Sequence, residues 1–279
     1  MPRRLLRIFS FFIVLVSLCL AAGWRYRIPL TEKGLNKALH DYFGGTLTLQ
    51  DLKLQKGGIL TLKGLKGRYQ ARDGGIPLEI QSLQSQSSVL DLLEGKTLPV
   101  KVAGVRTGNS SGETLEGDAQ VRIGSQWHFE FRAKIISLEL RDLTPLSPEN
   151  LEGASGILKG TLTLRTDARE DPVFGLVLNV FEPGGNLQAR FFDLITPYLP
   201  QIQARSRVEQ LAASKKTVSY KNAHLNIGLE DPQQMKLFFH ILVPDYNLDL
   251  NINMAIRVDR KNAFFELAEV LGLVQVKAA

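Results

Sequence analysis

Cysteine and histidine, the residues that build most metal and redox sites, are scarce in this chain of 279 residues. It has a single cysteine, Cys19, and four histidines that are widely spaced: His40, His128, His224 and His240. One cysteine excludes a disulfide framework, a cysteine-rich zinc site and an iron–sulfur cluster within the chain. No two histidines have the spacing of the HExxH pair that binds zinc on a helix. The sequence therefore predicts a protein without a metal or another cofactor.

Motifs of nucleotide-binding enzymes are missing as well. The chain has neither a GxxxxGK[ST] loop nor a GxGxxG turn between a strand and a helix. The glycine pairs at 57–58 and 184–185 lack the lysine or the helix start that phosphate binding requires. We therefore predict a structural or binding protein, not an enzyme.

A concentrated basic stripe, the usual mark of a nucleic-acid-binding surface, is also missing. The net charge is +6, but three of the 34 basic residues stand in residues 1–23, which hold no acidic residue. Removing these three leaves 31 basic and 28 acidic side chains, mixed along the rest of the chain. Such a balance is typical of a solvated surface, and we expect no nucleic-acid partner.

What the N-terminus does contain is an apolar run. Residues 8–24 carry no charge, and their 17 positions are about the minimum that spans a bilayer as a helix. A signal peptide cleaved before Trp24 and a retained anchor both fit this run. Trp24 and Tyr26 alternate with two arginines, as in an interfacial aromatic belt, which favours a retained transmembrane helix within a segment of residues 1–30. The predicted anchor residues are Ile8, Phe11, Phe12, Leu15, Leu18 and Trp24.

The charges beside this run predict its orientation. Arg3, Arg4 and Arg7 precede it, and two arginines follow it before Glu32. The positive-inside bias places the N-terminus in the cytoplasm and the body outside it. In a bacterium this means a single-pass protein of the inner membrane with its body in the periplasm. The single cysteine lies in the apolar run, which fits an oxidising compartment for the body.

The rest of the chain is dominated by a period of two, the pattern of half-buried strands. A short amphipathic helix is predicted at 31–43, and further helices near 191–213 and 262–273. Glycine-containing turns separate the alternating runs, which is typical of an antiparallel arrangement. We predict a mainly β fold in two regions, 31–143 and 144–279, with a curved antiparallel sheet and a few covering helices.

Two of the predicted strands have the clearest one-sided pattern. In each, apolar residues alternate with charged residues or asparagines, so one face is apolar and the other is polar. The apolar rows line either an open groove or a closed core. The first row is Trp127, Phe129 and Phe131, and the second is Leu248, Leu250, Ile252, Met254 and Ile256.

The motifs of the first half carry a family resemblance. LTLQDLKL follows a short helix, GILTLKGLKG comes next, and SSVLDLLEGK and LEGASGILKGTLTL follow. This pattern resembles the AsmA-like superfamily of bacterial envelope proteins, which includes TamB-type bridges and the type II secretion protein N. The resemblance covers roughly residues 5–165 and, more loosely, 215–279.

The resemblance implies a function as well as a fold. It implies an inner-membrane anchor and a periplasmic β-groove that handles phospholipid acyl chains or supports outer-membrane biogenesis. The alternative is an interaction subunit of a cell-envelope assembly or type II secretion machine. In that case exposed sheet edges, or the apolar segment at 191–200, bind an envelope protein.

Overall fold

The computed structural model of the chain describes residues 47–257, apart from short gaps at 49, 56, 72–73, 93, 108–111, 124–127, 147, 168–172, 197–198, 200–202, 215 and 232–233. The predicted anchor and the helices predicted at 31–43 and 262–273 lie outside the described residues. Within the described part of the chain, no helix is long and apolar enough to cross a membrane.

Fourteen strands account for most of the described residues. In chain order they are β1 (Leu47–Thr48), β2 (Asp51–Leu54), β3 (Leu60–Ala71), β4 (Gly74–Ser85), β5 (Leu98–Thr107), β6 (Leu115–Arg122), β7 (His128–Glu139), β8 (Ile157–Asp167), β9 (Val173–Val180), β10 (Gly185–Gln188), β11 (Thr217–Tyr220), β12 (Asn222–Asp231), β13 (Gln234–Val243) and β14 (Leu248–Arg257). Every pairing between them is antiparallel. The prediction of a mainly β, antiparallel fold is therefore confirmed.

The helices described by the structure are few and short. Two are α-helices, α1 (Pro148–Leu151) and α2 (Gln203–Ala213). The structure also describes four 3-10 helices: Val89–Leu92, Leu140–Leu146, Ala189–Leu194 and Pro244–Tyr246. The prediction of helical structure near 191–213 is confirmed, because Ala189–Leu194 and α2 both fall there.

Twelve of the strands form one continuous sheet. Its order is β1–β3–β4–β5–β6–β7–β8–β9–β12–β13–β14, and β2 pairs with β3 beside β1. Neighbouring strands are therefore mostly consecutive in sequence, as short connections favour. Strands β7 and β8 pair across the boundary predicted at 144, so the two predicted regions share one sheet.

Apart from β2, which lies beside β1, the order of the described strands is interrupted by an insertion between β9 and β12. Strands β10 and β11 pair with each other in a separate two-stranded sheet, and they enclose the helices Ala189–Leu194 and α2. Together with Leu140–Leu146 and α1, this insertion forms a unit that we call the cap. The cap packs on one face of the large sheet, as described below.

In β3, β4 and β5 the alternation of inward and outward side chains shifts by one residue. This shift keeps the apolar residues of the three strands on one face. Leu62 and Leu65 are both buried although three positions separate them, and the same is true of Leu83 and Ile80 on β4 and of Val102 and Val105 on β5. Between each pair the ladder is irregular, at Gly64 on β3 and Gly104 on β5. Both glycines have a positive φ, which other residues rarely adopt, and so they permit the change of phase.

Candidate functional site: the inner face of the sheet

The alternating apolar residues of neighbouring strands meet in cross-strand rows. Phe131 on β7 lies opposite Leu164 on β8, which in turn lies opposite Phe174 on β9. Farther along the sheet, Phe239 on β13 lies opposite Ile252 on β14. Residues directly opposite each other point to the same face, so these rows form one apolar surface. We call it the inner face.

The opposite, outer face is polar. Arg132 and Lys134 on β7 are exposed, while their neighbour Ala133 is buried. On β14 Asn251 and Asn253 are exposed, while Ile252 between them is buried. The predicted one-sided character of both strands is confirmed for their described residues.

Over β3–β7 the inner face is a packed core. Leu62, Leu83, Val102, Val121 and Phe129 belong to a single buried cluster. The 3-10 helix Val89–Leu92 adds Val89 and Leu92 to it from the connection between β4 and β5. This helix is held by the hydrogen bond from the Val89 amide to the Gly58 carbonyl, 2.9 Å long.

Over β8–β14 the cap covers part of the inner face. Phe192, Val208, Leu211 and Val218 of the cap are fully buried in one cluster with the inner-face residues of these strands. The ring of Phe191 lies 6.2 Å from the ring of Phe239 on β13, measured between centroids. Contacts of this kind join cap and sheet into one hydrophobic core.

Polar contacts fix the position of the cap. The Tyr220 hydroxyl on β11 donates a hydrogen bond of 2.9 Å to the Ser155 carbonyl, just before β8. Burial raises the pKa of Tyr220 to about 12, because the charged phenolate is poorly solvated there. Ser155 and Asn186 also exchange two backbone hydrogen bonds of 2.9 and 3.1 Å. Gly185 permits this close approach, since a Cβ atom there would lie 1.9 Å from the Ser155 carbonyl oxygen.

The structure places the predicted groove residues in different environments. Phe129 is 2% exposed, and Leu248, Leu250 and Ile252 are 4–5% exposed, so all four belong to the closed core. Phe131 and Met254 are only partly buried. Ile256 pairs with Met235 in the β13–β14 ladder. Trp127 and the predicted anchor residues lie outside the described residues.

Between the buried clusters lies a part of the inner face that stays partly exposed. Phe131 and Leu164 pack against the cluster of β3–β7, while Phe174 and Leu176 pack against a second cluster around Ile227 and Met235. Leu162 lies opposite Leu176 and is also partly exposed. We call these five residues the central strip: Phe131, Leu162, Leu164, Phe174 and Leu176.

The sequence analysis selected only one residue of the central strip, Phe131. The other four follow the same period of two, but nothing in that period distinguishes a covered residue from an accessible one. These four residues can be recognised as part of one surface only when the pairing register of the strands is known, because the register determines which apolar residues lie side by side.

The other candidate segments are less suited to ligand binding. Phe192 and Leu199 of the apolar segment at 191–200 are buried in the cap. A cleft of about 550 Å³ beside it is lined mainly by polar residues, among them Glu152, Arg190 and Glu209. Arg190 Nη2 lies 3.3 Å from Glu152 Oε2, so part of its charge is neutralised there.

The pentapeptide at 108–112 has the spacing GxSxG, but it joins the antiparallel strands β5 and β6. A nucleophile elbow joins a strand to a helix instead. Nor do three His, Cys, Asp or Glu side chains of the described residues come together as metal ligands.

The chain was also compared with known proteins. No family model, no curated protein and no solved structure matches it. The AsmA-like resemblance therefore remains a prediction.

Proposed function

We propose that the protein is a non-enzymatic, membrane-anchored protein of the bacterial periplasm that handles lipid through the central strip. In this role the strip binds phospholipid acyl chains, and the protein takes part in lipid transport or outer-membrane biogenesis. The anchor and the location come from the apolar run at residues 8–24. The AsmA-like β-groove is the fold that this proposal assigns to the large sheet.

The observation that carries the proposal is the partial exposure of five large apolar side chains in adjacent positions. Folding buries such side chains wherever it can, because each gains about 1.5–3 kcal/mol on full burial. A contiguous apolar surface left accessible on a soluble body is typical of a binding site. Here the strip lies between two packed clusters, so its walls are held in place.

The dimensions of the strip suit an acyl chain. It extends over three strands, which are spaced about 4.8 Å apart, with one inward position on β7 and two, about 7 Å apart, on each of β8 and β9. This area accommodates several methylene groups. Each CH₂ group that leaves water contributes about 0.8 kcal/mol, so a modest number of contacts suffices for reversible binding.

Crosslinking from inside the strip tests the proposal. A photoreactive phenylalanine analogue replaces Phe131 in the full chain, which is then irradiated in intact cells. The matched control places the same analogue at Arg132, which is adjacent in sequence but exposed on the outer face. We expect lipid adducts, identified by mass spectrometry, at position 131 and few or none at position 132.

Two outcomes would contradict the proposal. Equal lipid labelling at both positions would mean that the label reports only the nearby membrane. Protein adducts without lipid at position 131 would support the alternative function, an interaction subunit of an envelope assembly or secretion machine. Circular dichroism of both variants checks that the sheet still forms.

A further inference from the structure

The two edges of the large sheet differ in how well they are protected. An edge strand presents unpaired backbone groups that can bind another strand, and proteins usually block it with short strands, bulges, lysine or proline. One edge is divided into two short strands, β1 and β2, and carries Lys53. The other edge is β14, which has ten residues and neither lysine nor proline.

Strand β14 is also regular along its whole length. It forms ten consecutive residue pairs with β13, from Leu248 to Arg257, and the register does not shift. Among the described residues, β13 is the only strand that pairs with β14. In the sheet of the described residues, the outer backbone edge of β14 is therefore a long, regularly paired template for a further strand.

The side chains of β14 complement a second copy of the same strand. If two copies run antiparallel about a twofold axis at Asn253, Asp249 of one copy lies opposite Arg257 of the other. The same register places Ile252 opposite Met254 on the inner face and Asn253 opposite Asn253 on the outer face. Both ion pairs are formed, and the apolar face continues from one copy into the next.

Other registers about a twofold axis fit less well. An axis at Asn251 places Asp249 opposite Asn253, and Arg257 then has no residue of β14 opposite it. An axis at Ala255 leaves only the last part of the strand paired. Only the axis at Asn253 matches the opposite charges and uses nine of the ten residues of β14.

The surroundings of Asp249 are compatible with this arrangement. Its side chain is 64% exposed, and its Oδ1 atom lies 2.8 Å from His240 Nε2. The Asn251 amide also donates to Oδ1, at 3.3 Å. Both contacts go to the same carboxylate oxygen and hold the side chain on the outer face, where Arg257 of the second copy is placed. Arg257 itself is exposed.

We propose that two copies of the chain associate through β14, in antiparallel register about Asn253, and form one continuous sheet. The occupant of the edge is thus a second copy of this chain. This inference depends on the strand and its charges, and it does not require that the central strip binds lipid.

Disulfide crosslinking tests the register. Asn253→Cys is introduced into the full chain with Cys19→Ser, and membranes are exposed to a mild oxidant. Facing Cα atoms of antiparallel strands lie about 4.5–5.5 Å apart, within reach of a disulfide. We expect a disulfide-linked dimer.

The matched control is Asn251→Cys in the same background. Residue 251 lies opposite residue 255 of the second copy, so the two copies of residue 251 are about 13–14 Å apart along the strands. A disulfide cannot span that distance, and we expect no dimer. Equal crosslinking at both positions, or crosslinking of Asn253→Cys to a different protein, would overturn the proposal.

Charge exchange tests the ion pairs without a crosslink. Asp249→Arg alone and Arg257→Asp alone each place like charges opposite each other, and we expect the dimer dissociation constant to rise on the order of tenfold. The double variant restores opposite charges and should restore the affinity. Sedimentation of the detergent-solubilised full chain measures it. A wild-type chain that is monomeric at all accessible concentrations, or a double variant as weak as the single ones, would refute the interface.

Discussion

The two halves of the large sheet differ in how their inner faces are covered. Each half has an inner face that must leave water. In β3–β7, side chains of neighbouring strands and the short helix Val89–Leu92 form the buried cluster. In β8–β14, the cap covers part of the inner face with its two-stranded sheet and its helices. A similar alternating pattern is thus compatible with two kinds of cover, and the pattern alone does not specify which one forms.

The comparison also locates the candidate site. The central strip lies between the cluster of β3–β7 and the smaller cluster around Ile227 and Met235, beyond the cluster that contains the cap, so its side chains are fully covered by none of them. The position of the strip indicates that apolar side chains of such a sheet stay accessible between its buried clusters. The following predictions test that difference, from the largest expected effect to the smallest.

The largest effect is expected for a charge in the capped half. Ile252→Asp places a carboxylate at a site that is 5% exposed, where it loses both apolar burial and solvation. We expect a loss of about 5 kcal/mol or more in the free energy of unfolding, enough to prevent stable folding. Asn251→Asp, on the exposed outer face of the same strand, should change it by less than about 0.5 kcal/mol. Chemical unfolding measures both, and equal tolerance would mean that β14 is not one-sided.

Truncation inside the cap should be the next largest effect. Phe192 is fully buried, and Phe192→Ala should lower the free energy of unfolding by about 3–5 kcal/mol. Phe181→Ala is the matched control, because that ring is 62% exposed and should matter little. If the halves fold as one unit, Phe192→Ala shifts a single transition. Two separate transitions would instead show that the capped half unfolds independently.

A polar substitution in the central strip should affect binding more than stability. Leu164→Asn replaces a partly exposed apolar side chain, and we expect a loss of about 1–2 kcal/mol in stability together with loss of the lipid that copurifies with the protein. Thr163→Asn, on the other face of β8, is the control and should retain the lipid. Lipid extraction and mass spectrometry give the readout. Undiminished lipid in a folded Leu164→Asn variant would contradict the proposed site.

The smallest effect concerns the hydrogen bond that fixes the cap. Tyr220→Phe removes the bond to the Ser155 carbonyl and should cost about 0.5–1.5 kcal/mol at neutral pH. Because the pKa of Tyr220 is raised to about 12 from 10.0, the unfolded chain ionises first as the pH rises. The contribution of this group to stability is therefore full below pH 10 and is lost between pH 10 and 12.

Thermal unfolding of the wild type and of Tyr220→Phe from pH 8 to 12 measures this difference. The wild type should lose more stability than the variant as the pH rises, because other titrating groups are common to both. Identical pH profiles would show that Tyr220 is not buried against Ser155 as described.

Much of the sheet could be predicted from the sequence. The alternation in β7 and β14 identifies strands and their apolar sides, since successive side chains in a strand point to opposite faces. The apolar residues of β7 change from odd to even positions after Ile135, and the register of the β7–β8 ladder shifts at the same place, between Ile135 and Leu138. The shifts in alternation at Gly64 and Gly104 could not be predicted from the sequence. Apolar residues stand at both odd and even positions of these short strands, so the pattern does not show where the shift occurs.

The sequence by itself determined the strands and their one-sided character, because these depend on neighbours within a few residues. The membrane anchor remains a prediction, since residues 8–24 lie outside the described residues. Only the tertiary structure decided which apolar residues are covered, since burial depends on strands and helices that are far apart in sequence. It therefore placed Phe129 and Ile252 in closed cores but left Phe131 and Leu164 partly exposed. Among the described residues it also placed β14 at an edge, because the edge of a sheet is defined by which strands are paired on both sides.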